Sequence, residues 1–254
     1  MVKTQKNNNK FSIILPAFNE EKTIAKVIKA ACVLPAEEII VVDDGSTDNT
    51  PKIVSSFVKR NKKLILIRHK KNKGVGEARK TGIKVSKSPI LLFFDTDISN
   101  INSQMMENII NPVLKDKADF VMAAFENEGR VTELVAKPLL KLCFSELAYL
   151  KQPISGQFAT KKEFLFPQRI DDSMLGILID AYLAGARITE TYIGLIEHNH
   201  HQLDIKKRQA FYECQACLKR FTERYYSFTP IHSFSQKIFR HKNLYQNFYQ
   251  RDEF

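Results

Sequence analysis

The sequence predicts an α/β domain with a mostly parallel sheet and helices on both faces. Two observations support this fold class. Short apolar runs alternate with helical patterns from residue 11 to residue 125, which favours strand–helix–strand units. Several of the apolar runs also end in loops rich in Asp, Asn and Glu, and in an open sheet of this kind ligands bind at the carboxyl ends of the strands.

Strands and helices can be placed in order along this first half. Apolar residues recur at helical spacing between residues 24 and 31, and Pro51 stands at a first-turn position. The strands are predicted at residues 11–15, 37–42, 64–67, 90–94 and 120–124. The helices are predicted at residues 22–33, from residue 49 onward, from the glycine-containing turn at 72–77 to residue 85, and at 102–114.

The fourth strand is the one around which a site is expected. Residues 90–94 are all apolar, which is typical of a strand buried on both faces. The run ends in Asp95 and Asp97, whose hard oxygen donors suit Mg²⁺ or Mn²⁺. The alternative is that the Asp-Thr-Asp segment only caps the next helix. Strands that run in parallel end at one edge, so three pairs of side chains should converge: Asn19 and Glu20, Asp43 and Asp44, and Asp95 and Asp97.

The pattern changes after residue 125. A polar loop at 126–130 precedes a long amphipathic helix at 131–150 that Pro138 interrupts, and a returning strand is predicted at 154–160. Asp172 or Ser173 can cap a helix that ends at Ala184, and a further strand follows at 187–196. The predicted organisation is a disordered lead at 1–10, two halves of one domain at 11–125 and 126–203, and a basic, aromatic, helical extension at 204–254.

Composition narrows the function classes. The formal net charge of +11 favours an anionic partner, which is a nucleic acid, a membrane surface or a phosphate-rich small substrate. No apolar run approaches the roughly 18 residues of a membrane span, and the polar, basic N-terminus does not resemble a secretory signal. Cys214 and Cys217 form a CxxC without a second pair, so the four cysteines are predicted to be reduced structural thiols of a cytoplasmic protein.

Three motifs carry a resemblance to a known family. Residues 16–21 (PAFNEE), 42–48 (VDDGSTD) and 95–97 (DTD) are similar to those of a family 2-type glycosyltransferase of the Rossmann-like GT-A fold. The resemblance implies that a hexose is transferred from a nucleoside-diphosphate sugar, most often a UDP-sugar, with Mg²⁺ or Mn²⁺ bound by Asp97. The implied donor-nucleotide residues are Pro16, Ala17, Asn19, Glu20, Asp43, Asp44, Lys73, Asp95 and Thr96.

A second segment resembles a narrower group. Residues 129–140 are similar to the corresponding segment of glucosyl-3-phosphoglycerate synthases and their mannosyl relatives. This implies that Gly129, Arg130 and Thr132 bind a small anionic acceptor such as 3-phosphoglycerate. It also implies that His198 is a metal ligand, with His200 or His201 as the alternative. The resemblance extends to about residue 203.

Two positions depart from that group. A lysine that contacts the diphosphate is replaced by Val75, with Lys73 as a potential substitute, and a glutamate is replaced by Met174. Asp171 and Asp172 lie near where inverting family 2 enzymes place a catalytic base, and Asp172 is the candidate base. The phosphoglycerate enzymes retain configuration instead, so the stereochemistry of transfer stays open, as does an acceptor such as a polyprenyl phosphate or a glycan.

A different class of function also has support. Aromatic residues interleave with Lys and Arg over residues 225–251, as in segments that bind anionic membranes or single-stranded nucleic acid. No recognised nucleic-acid motif accompanies them, and packing or dimerisation is the preferred interpretation of this tail. A nucleotidyltransferase is disfavoured because its glycine-rich, lysine-bearing loop is absent. We therefore expect a homodimeric enzyme with no nucleic-acid partner, and peripheral membrane contact remains the alternative role of the tail.

Overall fold

A computed structural model describes residues 10–126, 129–197 and 203–226. Within these ranges, seven strands form one sheet in the order β3-β2-β1-β4-β6-β5-β7. The strands are β1 (Phe11–Ala17), β2 (Glu38–Asp43), β3 (Leu64–Arg68), β4 (Ile90–Phe93), β5 (Phe120–Ala124), β6 (Phe158–Lys161) and β7 (Ile188–Tyr192). The α-helices are α1 (Ile24–Val33), α2 (Thr50–Val58), α3 (Val75–Val85), α4 (Ser103–Leu114), α5 (Lys137–Cys143), α6 (Met174–Leu183) and α7 (Leu203–Tyr226).

The sheet is mostly parallel, as predicted. β1 pairs in parallel with β2 and with β4, β2 pairs in parallel with β3, and β5 pairs in parallel with β7. β6 is antiparallel to both of its neighbours, β4 and β5. The rings of Phe93, Phe158 and Phe120 stack across these three strands, with centroid distances of 4.4 and 5.2 Å. The carboxyl ends of β1, β2, β4 and β5 therefore lie at the same edge of the sheet.

Helices cover both faces of this sheet. Successive side chains of a strand point to opposite faces, so Leu92 of β4 joins one apolar cluster with Ile13 of β1. Leu91 and Phe93 join the other cluster with Ile14. The first cluster includes residues of α1, α2 and α4, and the second includes residues of α3, α5, α6 and α7. β4 is thus buried on both faces, which confirms the prediction made from its apolar run.

The helix predicted at 131–150 ends earlier than predicted, whereas its predicted interruption at Pro138 is confirmed. The segment forms a π-helical turn (Thr132–Ala136), then α5, then a 3₁₀ turn (Ser145–Leu147). Pro138 lies in the first turn of α5. Proline has no N–H to continue the hydrogen-bond ladder, and its ring collides with the carbonyl of residue i−4. The helix is therefore renewed at Pro138, and a widened turn precedes it.

Two strands of the second half are shorter than predicted. The predicted 154–160 strand begins only at Phe158, because Ser155 and Gln157 bond to each other in a polar bend. The predicted 187–196 strand ends at Tyr192, and Gly194 follows with a φ of 88° that a strand does not accommodate. The helix predicted to end at Ala184 is α6, and Ser173 is its N-cap.

The extension predicted to be helical at 204–254 forms α7 over the part that the structure describes. It packs against α5 and α6, and its Cys217 belongs to the second apolar cluster. Cys32, Cys143, Cys214 and Cys217 are all free thiols. The tail from residue 227 and the lead at 1–9 lie outside the described residues. None of the helices in the described residues is both long enough and apolar enough to cross a membrane.

Candidate active site

The loop after β1 is fastened to the loop after β2. Asn19 adopts a φ of 57°, a left-handed conformation that asparagine tolerates better than most residues. Its backbone N–H donates to Ser46 Oγ at 2.9 Å, and its Oδ1 accepts from Thr47 N at 2.8 Å. Glu20 N donates to Thr50 Oγ1 at 2.8 Å. These contacts confirm that the first two predicted loops meet.

Asp43 shapes the turn after β2. It is fully buried, and its Oδ1 accepts a hydrogen bond from Ser46 N at 3.0 Å. Its Oδ2 lies 2.9 Å from Arg68 Nε at the end of β3. Gly45 has a φ of 78°, and a Cβ at this position would lie 2.5 Å from the carbonyl carbon of Lys71. The turn therefore requires glycine and is packed directly against residues 71–72.

Asp44 holds the glycine-containing turn that precedes α3. Its carboxylate accepts hydrogen bonds from Lys73 N and from Gly74 N, the shortest at 2.8 Å. His69 Nδ1 lies 2.6 Å from Asp44 Oδ1, and His69 Nε2 lies 2.9 Å from Thr81 Oγ1. His69 was not among the site residues predicted from the sequence. The Lys73 side chain is exposed, so this loop presents a cation at the carboxyl edge of the sheet.

The Asp-Thr-Asp segment after β4 joins the same edge. Thr96 Oγ1 donates to Pro16 O at 2.8 Å, which ties the end of β4 to the end of β1. Asp97 is 8% exposed. Asp95 Oδ2 accepts from Gln157 Nε2 at 2.9 Å, and Asp95 Oδ1 lies 3.9 Å from Arg79 Nη2. The predicted convergence of the three loops is therefore confirmed by direct contacts.

Asp172 also reaches this edge, from a distant part of the sequence. Its Oδ1 accepts a hydrogen bond from Gly76 N at 2.7 Å, at the start of α3. A Cβ on Gly74 would lie 2.8 Å from both oxygens of Asp172, so glycine is needed for this approach. The neighbouring Asp171 is exposed and bonds to Ser173 N. The carboxylate of Asp172 thus lies against the positive end of the α3 dipole.

The three predicted acceptor residues lie beyond the carboxyl end of β5. Gly129 and Arg130 are exposed, whereas Thr132 is buried. Thr132 Oγ1 lies 3.4 Å from Gln152 Oε1, and Gln152 Nε2 lies 3.5 Å from Phe125 O in the loop after β5. Because β5 runs parallel to β4, these residues belong to the same edge of the sheet as Asp95 and Asp97.

The predicted metal ligand His198 and its alternatives His200 and His201 lie outside the described residues. Glu197, which precedes them, is bonded to the segment just after the Asp-Thr-Asp motif. Its carbonyl accepts from Ser99 N at 2.9 Å, and its N–H donates to Asn100 Oδ1 at 3.0 Å. Among residues 10–126, 129–197 and 203–226, no three His, Cys, Asp or Glu side chains form a metal-binding cluster.

A buried carboxylate of α7 bonds to the N-terminus of α6, next to the candidate site. The Glu213 carboxylate accepts from Ser173 Oγ, from Met174 N at 3.1 Å and from Leu175 N at 2.9 Å, at the N-terminus of α6. Burial raises the pKa of Glu213. A carboxylate from α7 therefore reaches the backbone of Met174, where the resemblance implied a glutamate. Glu213 was not predicted from the sequence, because a single Glu in a basic helix has no local signal.

Arg79 is the other residue that sequence analysis missed. It lies on α3 and is 4% exposed. Burial lowers the pKa of Arg79, and the negative charges of Asp95, Glu213 and Asp172 oppose that effect. One feature of the sequence could have indicated its burial. Arg79 lies one helical turn before Ile83, on the apolar face of the helix.

Comparison with known proteins identifies the family. A family model described as glycosyl transferase family 2 matches residues 12–175. Glucosyl-3-phosphoglycerate synthase of Mycobacterium tuberculosis is 30% identical over 219 residues, which cover 76% of this chain and 68% of the relative. The enzyme of that name from Petrotoga mobilis is 31% identical over 182 residues, covering 63% and 56%. An uncharacterized protein of Methanocaldococcus jannaschii is 30% identical over 206 residues, covering 73% and 88%.

Solved structures agree with this assignment. The M. tuberculosis synthase in complex with Mn²⁺, UDP-glucose and phosphoglyceric acid matches with a TM-score of 0.74 at 28% identity, covering 84% of this chain and 79% of that one. The same enzyme with Mg²⁺ and UDP matches with a TM-score of 0.75, covering 83% and 79%. The seven-stranded sheet is thus a GT-A-type fold. The chain belongs to glycosyl transferase family 2 and is a glycosyltransferase.

Proposed function

We propose that this enzyme transfers a hexose from a UDP-sugar to a small anionic acceptor of the phosphoglycerate class, with Mg²⁺ or Mn²⁺ as cofactor. The observation that carries the proposal is the convergence of three loops at one sheet edge, fastened by the Thr96–Pro16 and Asn19–Thr47 hydrogen bonds. The relatives support it, because the M. tuberculosis synthase binds Mn²⁺, UDP-glucose and phosphoglyceric acid together.

The residues at the end of β4 fit a hard divalent cation. Asp97 offers carboxylate oxygens in a largely buried position, and such donors are the ligands that Mg²⁺ and Mn²⁺ prefer. We assign Asp97 and His198 as protein ligands. When bound, the metal supplies neutralisation of the charge that develops on the departing diphosphate. Asp43, Asp44 and Asn19 would shape the loops that hold the nucleotide.

The acceptor is assigned to the edge beyond β5. Arg130 carries an exposed guanidinium whose planar fork matches a carboxylate or a phosphate. Gly129 leaves room beside it, and Thr132 anchors the segment through Gln152. The net charge of +11 would raise the local concentration of anionic substrates.

Asp172 remains the candidate base for an inverting reaction. A general base must reach the proton that it removes, and in this structure Asp172 Oδ1 is engaged with Gly76 N. That contact favours a different role, in which Asp172 fixes the glycine turn at the start of α3. An inverting transfer to a polyprenyl phosphate or a glycan is the second candidate function, and the replacements at Val75 and Met174 favour it.

The proposal is tested by calorimetric titration of UDP, GDP and ADP with and without Mn²⁺, on the parent and on Asp97→Ala. We expect Mn²⁺-dependent binding of UDP, and a loss in Asp97→Ala exceeding the roughly 10–100-fold that removal of an outer-shell partner costs. Asp116→Ala, at a carboxylate with 72% side-chain exposure, is the control and should bind as the parent does. Failure of the parent to bind any nucleotide would overturn the proposal.

The acceptor and the stereochemistry need a second measurement. Incubation with UDP-glucose, Mn²⁺ and 3-phosphoglycerate should release UDP and yield a glucosylated product whose anomeric proton is resolved by NMR. An α-linked product means retention, as in the phosphoglycerate enzymes, and a β-linked product means inversion. UDP release with a polyprenyl phosphate or a glycan, and none with 3-phosphoglycerate, would establish the second candidate function.

A further inference from the structure

We propose that Arg79 is a positioning residue of this glycosyltransferase: its buried guanidinium fixes the Asp95 carboxylate beside the donor site. The inference deepens the proposed function and rests on it. Arg79 lies on α3, a helix that contributes to the second apolar cluster through Ala78 and Ile83. Its Nη2 is 3.9 Å from Asp95 Oδ1.

The burial of Arg79 calls for an explanation. Removing a guanidinium from water is costly unless it is paired and hydrogen-bonded, and an apolar side chain of similar volume is often as stable or more so. Arg79 is 4% exposed, and within the described chain its Nε and Nη1 have no hydrogen-bond partner. Burying a guanidinium at this position of α3 is therefore unfavourable compared with burying an apolar side chain. An electrostatic interaction with Asp95 would explain why an arginine is present there.

The second oxygen of the Asp95 carboxylate has a partner as well. Gln157 Nε2 donates to Asp95 Oδ2 at 2.9 Å. A Cβ on Gly156 would lie only 1.9 Å from the same oxygen, so the carboxylate occupies space that only glycine leaves open. Three separate parts of the chain thus meet at this carboxylate: α3, the segment before β6 and the end of β4. Such convergence fixes an orientation, which is what a ligand site requires of its supporting residues.

The charge balance of the site points the same way. Asp95, Asp172 and Glu213 all act on Arg79, from the end of β4, the loop before α6 and α7. A donor diphosphate is an anion, and a set of carboxylates without a nearby cation would repel it. Arg79 offsets part of this negative charge at Asp95. Since its unpartnered nitrogens are buried, we infer that it acts on the ligand through Asp95 and not by direct contact.

The position of Arg79 also bears on one departure from the phosphoglycerate enzymes. Val75, where the resemblance implied a lysine that contacts the diphosphate, lies one helical turn before Arg79 on the same side of α3. In this chain the cation on that face of α3 is Arg79, which lies one turn further along the helix and is buried. The helix would therefore keep its positive charge near the site but use it to orient a carboxylate.

The test compares Arg79→Met, which removes the charge at similar volume, with Arg79→Lys, which keeps it. Calorimetry measures UDP affinity with and without Mn²⁺, and thermal unfolding is followed in parallel. We expect Arg79→Met to weaken Mn²⁺-dependent UDP binding by roughly 10–100-fold, as for other outer-shell partners, and Arg79→Lys to recover part of it. Lys80→Met is the matched control, because Lys80 pairs with Glu77 at the surface, and it should bind as the parent does.

A purely structural role gives a different result. Arg79→Met would then unfold at a lower temperature but bind UDP and Mn²⁺ as the parent does, which would overturn the inference. If Arg79→Met does not fold, Arg79→Gln removes the charge but keeps a polar head group. Weakened Mn²⁺-dependent UDP binding in a folded Arg79→Gln protein would support the inference, and unchanged binding would overturn it. Failure of the parent itself to bind UDP would count against the proposed function instead.

Discussion

The first half of the domain and the two helices α6 and α7 use polar side chains in different ways. In the first half, carboxylates and amides of the site loops accept hydrogen bonds mainly from backbone N–H groups nearby, as Asp43 does from Ser46 and Asp44 does from Gly74. Between α6 and α7, buried charges pair with each other over long stretches of sequence, as Arg220 of α7 does with Asp180 of α6 at 2.6 Å. The first arrangement shapes loops, and the second joins helices.

This difference has an energetic meaning. A carboxylate that accepts backbone N–H groups stabilises one conformation of a turn, so its loss should affect ligand binding more than global stability. A buried ion pair contributes little net stability, yet removal of one partner leaves an uncompensated charge and is strongly destabilising. Substitutions in the first half should therefore alter UDP affinity, whereas substitutions in α6 and α7 should alter the free energy of unfolding.

The largest effect is expected from Arg220→Met. Arg220 is 2% exposed, and besides Asp180 it donates to Arg169 O at 3.1 Å. Its loss leaves Arg169, whose Nε lies 2.9 Å from Asp180 Oδ1, as the remaining cation at Asp180. We therefore expect the free energy of unfolding to fall by about 3 kcal/mol, the lower end of the range for a broken buried ion pair, measured by urea denaturation. Lys10→Met, which removes an exposed pair with Glu37, should cost less than about 1 kcal/mol. An Arg220→Met protein as stable as the parent would contradict the proposed difference between the first half and the helices α6 and α7.

A smaller effect is expected from Gly45→Ala in the first half. Gly45 and Gly185 both have positive φ, at 78° and 86°, but nothing lies within 4 Å of a Cβ on Gly185. Gly185→Ala therefore isolates the backbone strain, roughly 1–2 kcal/mol. Gly45→Ala adds a collision with the backbone of Lys71, so its melting temperature should fall further and its UDP affinity should fall as well. Equal behaviour of the two variants would show that the packing of this turn is unimportant.

The smallest effect is expected at Asp119, whose ion pairs join the start of β5 to the chain before β7. The Arg187 and Lys161 side chains hold the pKa of Asp119 well below its usual value of 3.8. For an acid whose folded-state pKa is depressed, the stabilisation is present above the unfolded pKa and is lost as the pH falls through the folded pKa. Asp119→Asn should thus be less stable by about 1 kcal/mol at neutral pH.

This difference between parent and Asp119→Asn should shrink once the pH falls below about 4. Chemical denaturation at several pH values measures it. A difference that stays constant from pH 7 to pH 3 would mean that hydrogen bonding, and not the charge of Asp119, supports this junction. That result would make the β5–β7 junction resemble the loops of the first half more than the buried pairs of α6 and α7.

Much of the first half could be predicted because its information is local. Apolar runs define the strands, and the residues directly after β1, β2 and β4 must meet once those strands are parallel neighbours. Thr96 bonding to Pro16 O is a direct consequence of that topology. The second half was less predictable because its decisive contacts are not local. Glu213 reaches Ser173 across 40 residues, and Asp172 reaches Gly76 across 96.

Other errors had specific physical causes. The helix predicted at 131–150 was too long, because α5 ends at Cys143 and a 3₁₀ turn follows it. The strand predicted at 154–160 begins only at Phe158, because the side chains of Ser155 and Gln157 bond to each other. Arg79 was not singled out from the sequence, since nothing in the sequence indicates that α3 turns that side toward Asp95. The predicted roles of Lys73, Asp172, Arg130 and His198 stay proposals.

The antiparallel orientation of β6 has a consequence for how the enzyme is assembled. Parallel strands bring only their last residues to the ligand edge, so a fold made of them alone must build its site from the loops at their carboxyl ends. A strand inserted in the opposite direction brings its first residues to that edge. Gly156 and Gln157 thereby approach Asp95 from the amino-terminal side of a strand. One reversed strand thus lets the later part of the chain act on a carboxylate supplied by the earlier part.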